Sequence, residues 1–189
     1  MEDFGQQLSN ITLAPYIHKA MALIGVRRKS GSNMFRHQIS TMGILLDYQI
    51  LDPVLLKAAV IHDLFEDASG MPGVTKDEIV GIDEDGLDVY NLVMEVSIRR
   101  HNEEKEPKSE FLTRIMTAGS PRARVLKLAD RISNLFALGF VHDLKFVSRY
   151  VAETREYVLP YSEAINPDMH RELTDLVESR ALLLESPAT

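Results

Sequence analysis

Apolar residues recur along most of this chain at the three- to four-residue spacing of α-helices, and nowhere do they sustain the alternation that is typical of a β-strand. This pattern predicts an all-α fold. The predicted helices cover residues 10–25, 34–48, 52–70, 75–80, 87–98, 120–139, 142–158 and 169–184. Residues 99–109 carry no apolar side chain and should form a solvated loop, and the last five residues should fray.

Composition narrows the class of protein. A chain of 189 residues suits one domain with one sizeable core. Because there is no cysteine, any metal must be held by His, Asp or Glu, and the absence of disulfides fits a cytoplasmic protein. The first seven residues lack a basic start and an apolar stretch, and no apolar run is long enough to cross a bilayer, so we expect a soluble protein without a targeting segment. A net charge of −7 argues against general binding to nucleic acid or anionic membranes and leaves a small anionic ligand possible. The oligomeric state is not predicted.

In the third predicted helix, ionisable side chains directly follow a run of mostly apolar residues that is typical of a buried core. The ionisable residues near its C-terminal end are His62, Asp63, Glu66 and Asp67. On a regular helix these four side chains share about 140° of arc, and most of the remaining circumference is apolar. Burying such groups costs several kcal/mol unless they are paired or bind a metal. We therefore expect a central helix whose polar arc lines a cleft and shares a metal with other helices. The alternative is an acidic helix end that faces water.

A second cluster lies in the predicted helix 120–139. Asp130 and Asn134 are one turn apart and share a face with Lys127 and two alanines. Small and polar side chains on one face suit the wall of a ligand site. The alternative is an exposed, charged helix face.

The densest positive run, Arg27-Arg28-Lys29-Ser30-Gly31, precedes a histidine, His37, near the start of the second predicted helix. Guanidinium and ammonium groups suit phosphate recognition, but basic residues at a helix C-terminus also complement the helix dipole, and charge alone leaves both open. His37 is either a core residue or the further imidazole that a metal shared with His62 requires. The remaining histidines lack comparable neighbours and should be structural or surface residues: His18, His101, His142 and His170.

The candidate ligands, taken in chain order, resemble the H…HD…D pattern of the HD superfamily of metal-dependent phosphohydrolases. In this sequence the pattern falls on His37, His62, Asp63 and Asp130. The resemblance implies that all four hold a metal. It also implies a single HD-type helical bundle over residues 1–189, with the motif core at about 17–139 and C-terminal helices at 140–185.

Three longer segments resemble the hydrolase domain of the RelA/SpoT homologue family. They are the basic run at 27–31, His-Asp-Leu-Phe-Glu-Asp at 62–67, and Val-Leu-Lys-Leu-Ala-Asp-Arg-Ile-Ser-Asn at 125–134. The chain has the size of a stand-alone small alarmone hydrolase. The resemblance implies hydrolysis of the 3′-pyrophosphate of (p)ppGpp to GDP or GTP and pyrophosphate. It also implies Mn²⁺ as the usual metal, with another divalent ion possible.

Carried over position by position, the resemblance implies roles for further residues. Glu66 and Asp67 match the acidic pair that orients or deprotonates the attacking water. The positions that match the substrate pocket are Arg27, Lys29, Ser30 and Asn134.

Three positions depart from the family's pattern. Met34 stands where a tyrosine is frequent, Gln38 where a proline is usual, and Ala137 where a small hydroxyl residue is common. We expect all three to affect substrate recognition rather than metal binding, so (p)ppApp is an alternative substrate. Two further alternatives are an HD-type phosphatase acting on a nucleotide or on NADPH, and a non-catalytic, antitoxin-like binding protein. The Glu66-Asp67 pair argues against the last.

Overall fold

A computed structural model describes residues 3–29, 32–102 and 104–185. Its contacts divide the chain into two compact units, the first formed by 1–27 with 33–97 and the second by 28–32 with 98–189. Nearly all regular structure in the described residues is helical, so the predicted all-α class is confirmed. The expectation of one domain over the whole chain stays a prediction.

Unit 1 is built around a helix that is buried from its second residue to its last. Its helices are α1 Phe4–Ser9, α2 Ala14–Ala20, α3 Met34–Asp47, α4 Pro53–Ile61, α5 Leu64–Asp67, α6 Lys76–Val80 and α7 Gly86–Val96. The helix α4 packs against α2, α3 and α7, and every residue from Val54 to Ile61 is buried. The prediction of a central third helix is therefore confirmed, because an all-round apolar helix needs neighbours on every side.

The start of α4 was predictable from local signals, and its end was not. Asp52 caps the helix by accepting a hydrogen bond from the backbone N–H of Leu55 (3.0 Å), and Pro53 follows. The prediction of one helix over 52–70 is wrong. The α4 helix ends before His62, Asp63 adopts φ −98° and ψ 1°, and the short α5 follows. The four polar side chains therefore do not share one regular helix.

A buried lysine in α4 is neutralised by the turn before α7. Lys57 Nζ donates to Asp83 (2.8 Å) and to Asp85 (2.6 Å), and the hydroxyl of Tyr16 from α2 donates to Asp83 (2.8 Å). Since an unpaired buried charge is costly, these bonds explain how an ammonium group is accommodated in a core helix. They tie α2, α4 and the acidic turn together.

Unit 2 is a second helical cluster with one small hairpin. Its elements are β1 Arg100–His101, β2 Glu104–Lys105, α8 Lys108–Ala118, α9 Pro121–Leu138, α10 Leu144–Tyr157, α11 Leu159–Ile165 and α12 Pro167–Glu185. The helix α9 packs against α8, α10, α11 and α12. Ser120 caps it by accepting from the backbone N–H of Ala123 (3.2 Å), and Gly139 ends it, as predicted.

The segment 99–109, which was expected to be a solvated loop, is largely exposed, but part of it forms a short β-hairpin. The strands β1 and β2 pair antiparallel, with Arg100 opposite Lys105. Glu106 holds this hairpin to α8 by accepting two bonds from Arg114 (2.8 and 2.9 Å), and its own backbone N–H bonds Arg99 O (2.9 Å).

Three short or polar helices were not predicted from the sequence, namely α1, α8 and α11. Residues 186–189, where fraying is expected, lie outside the described part of the chain. Among the described residues, no helix combines the length and the apolar character that a membrane crossing requires.

Candidate metal centre

Two histidines and an aspartate converge in unit 1. His37 lies one turn into α3, His62 follows the last residue of α4, and Asp63 comes next. The Nε2 atoms of His37 and His62 lie 3.4 Å and 3.2 Å from the same oxygen, Asp63 Oδ2. The two imidazole rings meet edge to face, with centroids 5.0 Å apart. Both rings are buried, whereas the Asp63 side chain keeps 22% of its surface exposed. The three side chains thus surround one point beside solvent.

The hydrogen bond of His62 fixes which nitrogen faces that point. His62 Nδ1 lies 2.8 Å from the carbonyl oxygen of Ala59. Because a carbonyl only accepts, we assign the proton of the neutral ring to Nδ1, which leaves a lone pair on Nε2. That lone pair faces the acceptor oxygen of Asp63, and two facing acceptors favour a cation between them. Two imidazole nitrogens and a carboxylate oxygen suit a divalent transition metal, so the residues present fit a metal centre.

Gln38, which follows His37 in α3, is completely buried and contacts Asp63. Its Nε2 donates to Asp63 Oδ2 (3.0 Å), and its Oε1 accepts from the backbone N–H of Asp63 (3.3 Å). This departure from the family pattern therefore contacts a candidate metal ligand, and the expectation that it affects substrate recognition rather than metal binding stays a prediction. Of the other two departures, Met34 is buried at the start of α3 and Ala137 is half-buried in α9.

The acidic pair after Asp63 faces solvent. Glu66 and Asp67 belong to α5, and their backbone N–H groups donate to the carbonyl of Asp63 (3.1 and 3.0 Å). Both side chains are exposed. The two carboxylates therefore contact water, one short turn after a candidate ligand.

The second cluster, Lys127, Asp130 and Asn134, lies in unit 2. Asp130 is buried in the middle of α9. Lys127 Nζ donates to Asp130 Oδ2 (2.9 Å), and the Asn134 amide donates to the Asp130 carbonyl (2.9 Å) and to its carboxylate. Lys127 is also buried, with Nζ 4.8 Å from the centre of the Phe111 ring. This burial excludes the alternative of an exposed charged face, and the interpretation as the wall of a ligand site stays a prediction.

The basic run meets this cluster through a residue that the sequence did not single out. Arg28 donates to Asn134 Oδ1, while Lys29 Nζ stacks 5.7 Å from the Phe146 ring centre. Arg27 is exposed and pairs through its backbone with Asn33. Ser30 lies outside the described residues. Four basic and polar side chains in a row give no local signal that distinguishes Arg28 from Arg27.

Comparisons with known proteins identify proteins that are similar to this chain in sequence or in structure. No family model matches the chain. It is 31% identical over 160 residues to a GTP pyrophosphokinase rsh of Brucella ovis, covering 79% of this chain and 20% of the relative. It is 31% identical over 159 residues to a guanosine-3′,5′-bis(diphosphate) 3′-pyrophosphohydrolase of Vibrio cholerae, covering 82% of this chain and 21% of the relative. The chain thus spans about one-fifth of the length of these curated relatives.

A solved structure matches nearly the whole chain. It is that of a metazoan orthologue of SpoT that hydrolyses ppGpp and plays a role in starvation responses, with a TM-score of 0.69 and 23% identity over 95% of this chain and 96% of that one. The fold is therefore the helical HD-type fold. The chain is thus similar in sequence to proteins of the RelA/SpoT homologue family, over about one-fifth of their length, and it shares the fold of this SpoT orthologue.

Proposed function

We propose that this chain is a metal-dependent hydrolase that removes the 3′-pyrophosphate of (p)ppGpp, releasing GDP or GTP and pyrophosphate. The observation that carries the proposal is the convergence of His37 and His62 on Asp63 Oδ2, at 3.4 and 3.2 Å. The name of the Vibrio cholerae relative states this activity for that protein. The substrates are intracellular nucleotides, so we place the protein in the cytoplasm.

We propose His37, His62 and Asp63 as three ligands of the metal, and Asp130, carried over from the H…HD…D resemblance, as the fourth. This set offers nitrogen and oxygen but no sulfur, which suits Mn²⁺ and leaves other divalent ions possible. When bound, such an ion lowers the pKa of water and stabilises the charge of phosphate oxygens.

In the proposed reaction, water adds to the phosphorus that is bonded to the 3′ oxygen of the ribose. The bond between that phosphorus and the 3′ oxygen breaks, the 3′ oxygen gains a proton, and pyrophosphate leaves with the oxygen of water. We assign Glu66 and Asp67 to orienting the water and accepting its proton, a task for which carboxylates within hydrogen-bond reach are suited. Their exposure and their place directly after Asp63 support this role.

We assign nucleotide binding to the basic run and to Asn134. Arg27, Lys29 and Ser30 come from the family resemblance, and Arg28 is added because it donates to Asn134. A guanidinium group offers paired donors for phosphate oxygens, which is the chemistry that a substrate with four or five phosphates requires.

The test is to incubate the manganese-loaded protein with ppGpp and with ppApp and to measure pyrophosphate and orthophosphate separately. We expect pyrophosphate from at least one nucleotide, and a loss of at least about 100-fold in His62→Gln and in Glu66→Gln. The preferred nucleotide decides between the guanosine and adenosine substrates. Orthophosphate in place of pyrophosphate would indicate a phosphatase. Binding without either product would indicate a non-catalytic, antitoxin-like protein.

A further inference from the structure

We propose that Gln38 is a positioning residue that fixes the Asp63 carboxylate for metal binding. The inference rests on the proposed function, since it assigns a supporting role within that same site. Gln38 is 0% exposed and makes both of its described bonds to Asp63, at 3.0 Å to the carboxylate and at 3.3 Å from the backbone N–H.

The chemistry of the two partners determines the orientation of the Gln38 amide. A carboxylate only accepts hydrogen bonds, and a backbone N–H only donates. The NH₂ group must therefore point to Asp63 Oδ2 and the oxygen to Asp63 N. Among side chains of this length, an ionised glutamate has no hydrogen-bond donor, and methionine has neither the NH₂ donor nor the carbonyl acceptor. Only the amide satisfies the side chain and the main chain of Asp63 together.

This double contact acts where the backbone of Asp63 has left the α4 helix. Outside a regular helix, neither the φ and ψ angles nor the side-chain torsion of Asp63 is fixed by the helical hydrogen-bond pattern. Asp63 Oδ2 also faces both imidazoles, at 3.2 and 3.4 Å. A carboxylate oxygen has two lone-pair directions, and Gln38 occupies one of them. The other is thereby held toward the two histidines.

Because Gln38 directly follows His37, one helix supplies a ligand and orients a second. The α3 helix is itself anchored at its start, where Asn33 accepts from the backbone N–H of Arg36 (2.8 Å). Loss of a residue that orients a metal ligand typically weakens metal affinity by about 10- to 100-fold. A residue that only fills space in the core would leave that affinity unchanged.

The experiment measures Mn²⁺ binding to the metal-free full-length protein by titration calorimetry, in the wild type and in Gln38→Met. Methionine keeps the length and volume and removes both hydrogen bonds. Ser97→Ala is the matched control, because it removes a buried hydrogen bond of the same unit that joins Ser97 to the end of α7 (Ser97 Oγ to Val93 O, 2.8 Å). Gln38→Asn, which keeps the amide on a shorter side chain, is measured as well and stands in if Gln38→Met does not fold.

We expect the Kd for Mn²⁺ to rise about 10- to 100-fold in Gln38→Met, by a smaller factor in Gln38→Asn, and by less than about threefold in Ser97→Ala. Pyrophosphate release by Gln38→Met should recover at least in part when Mn²⁺ is raised above its new Kd. A Kd within threefold of the wild type in both Gln38 variants would overturn the inference. Wild-type protein that binds Mn²⁺ but releases no pyrophosphate would instead refute the proposed function, and the Mn²⁺ affinities would still decide the role of Gln38.

Discussion

Replacing Lys57 by methionine tests whether the buried ion cluster stabilises the unit that carries His62. Lys57 is 3% exposed and bonds Asp83 and Asp85 at 2.8 and 2.6 Å. Methionine matches the length of the aliphatic stem, so the change removes the charge and its hydrogen bonds while leaving little empty space. The two carboxylates then face each other without a cation.

The magnitude follows from the burial of these two carboxylates. Breaking a fully buried ion pair by removing one partner costs about 3–5 kcal/mol. The side chains of Asp83 and Asp85 keep 12% and 28% of their surface exposed, so water offsets part of this cost. We therefore expect Lys57→Met to lower the free energy of unfolding by about 2–3 kcal/mol at pH 7. For a chain of this size, that corresponds to a melting temperature lower by about 5–10 °C.

The effect should depend on pH in a defined direction. Burial alone would raise the pKa of Asp83, but hydrogen bonds from Lys57 and Tyr16 outweigh it and hold the pKa below the ordinary 3.8. The stabilisation by Asp83 is therefore complete above about pH 4 and is lost as the pH falls through the lowered pKa. The difference between wild type and Lys57→Met should shrink in that acidic range.

Urea denaturation followed by circular dichroism, at pH 7 and at stepwise lower pH, measures both effects. Lys76→Met is the control, because Lys76 is an exposed lysine of the same unit and its loss should cost less than about 0.5 kcal/mol. If Lys57→Met cost no more than this control, or if its cost grew as the pH fell below 4, the ion cluster around Lys57 would not be a source of stability for unit 1.

Three further predictions concern the candidate site. Mn²⁺ at about 100 times its Kd should stabilise the wild type by about 2.7 kcal/mol in thermal unfolding, and His62→Gln should show little of this shift. Glu66→Gln and Asp67→Asn should each lower kcat by about 100-fold or more, while the Kd for Mn²⁺ measured by calorimetry stays within threefold of the wild type. If either variant lost Mn²⁺ binding, that residue would instead be a metal ligand. Arg28→Ala should raise KM for ppGpp more than Arg27→Ala does, because Arg28 contacts Asn134; the reverse order would favour the residue chosen from the sequence.

The starts of α4 and α9 were predictable because their signals are local. Asp52 followed by Pro53, and Ser120 followed by Pro121, each combine a side chain that caps the first turn with a residue suited to the first helical position. These signals need no tertiary contact. The central position of α4 was predictable for a similar reason, since its residues are apolar on every side.

The end of α4 depends on contacts that periodicity does not encode. At Asp63 a side chain from another helix, Gln38, bonds the backbone and the carboxylate, and the helix breaks there. The unpredicted helix α8 is similar, since its polar positions are engaged by the neighbouring hairpin, where Arg114 of α8 binds Glu106. A pairing of residues from separate elements determines the local structure in both cases.

The sequence was sufficient to choose candidate residues for the site, but it was not sufficient to predict which of their atoms are in contact. His37, His62 and Asp63 were identified in order, and the structure brings them together in unit 1. The choice of Arg27 came from the family resemblance and stays a prediction, as does the expectation that Gln38 affects substrate recognition. The contacts of Arg28 with Asn134 and of Gln38 with Asp63 were not predictable, because they depend on which atoms meet in three dimensions.

Phosphorus NMR of the unfractionated reaction identifies the anion that the manganese-loaded protein releases from ppGpp, and it thereby tests the proposed hydrolysis of the 3′-pyrophosphate. We expect equal amounts of GDP and pyrophosphate from the wild type and neither product from His62→Gln. Release of orthophosphate with the 3′ oxygen still phosphorylated, or no turnover of ppGpp by metal-loaded wild-type protein, would contradict the proposed hydrolysis.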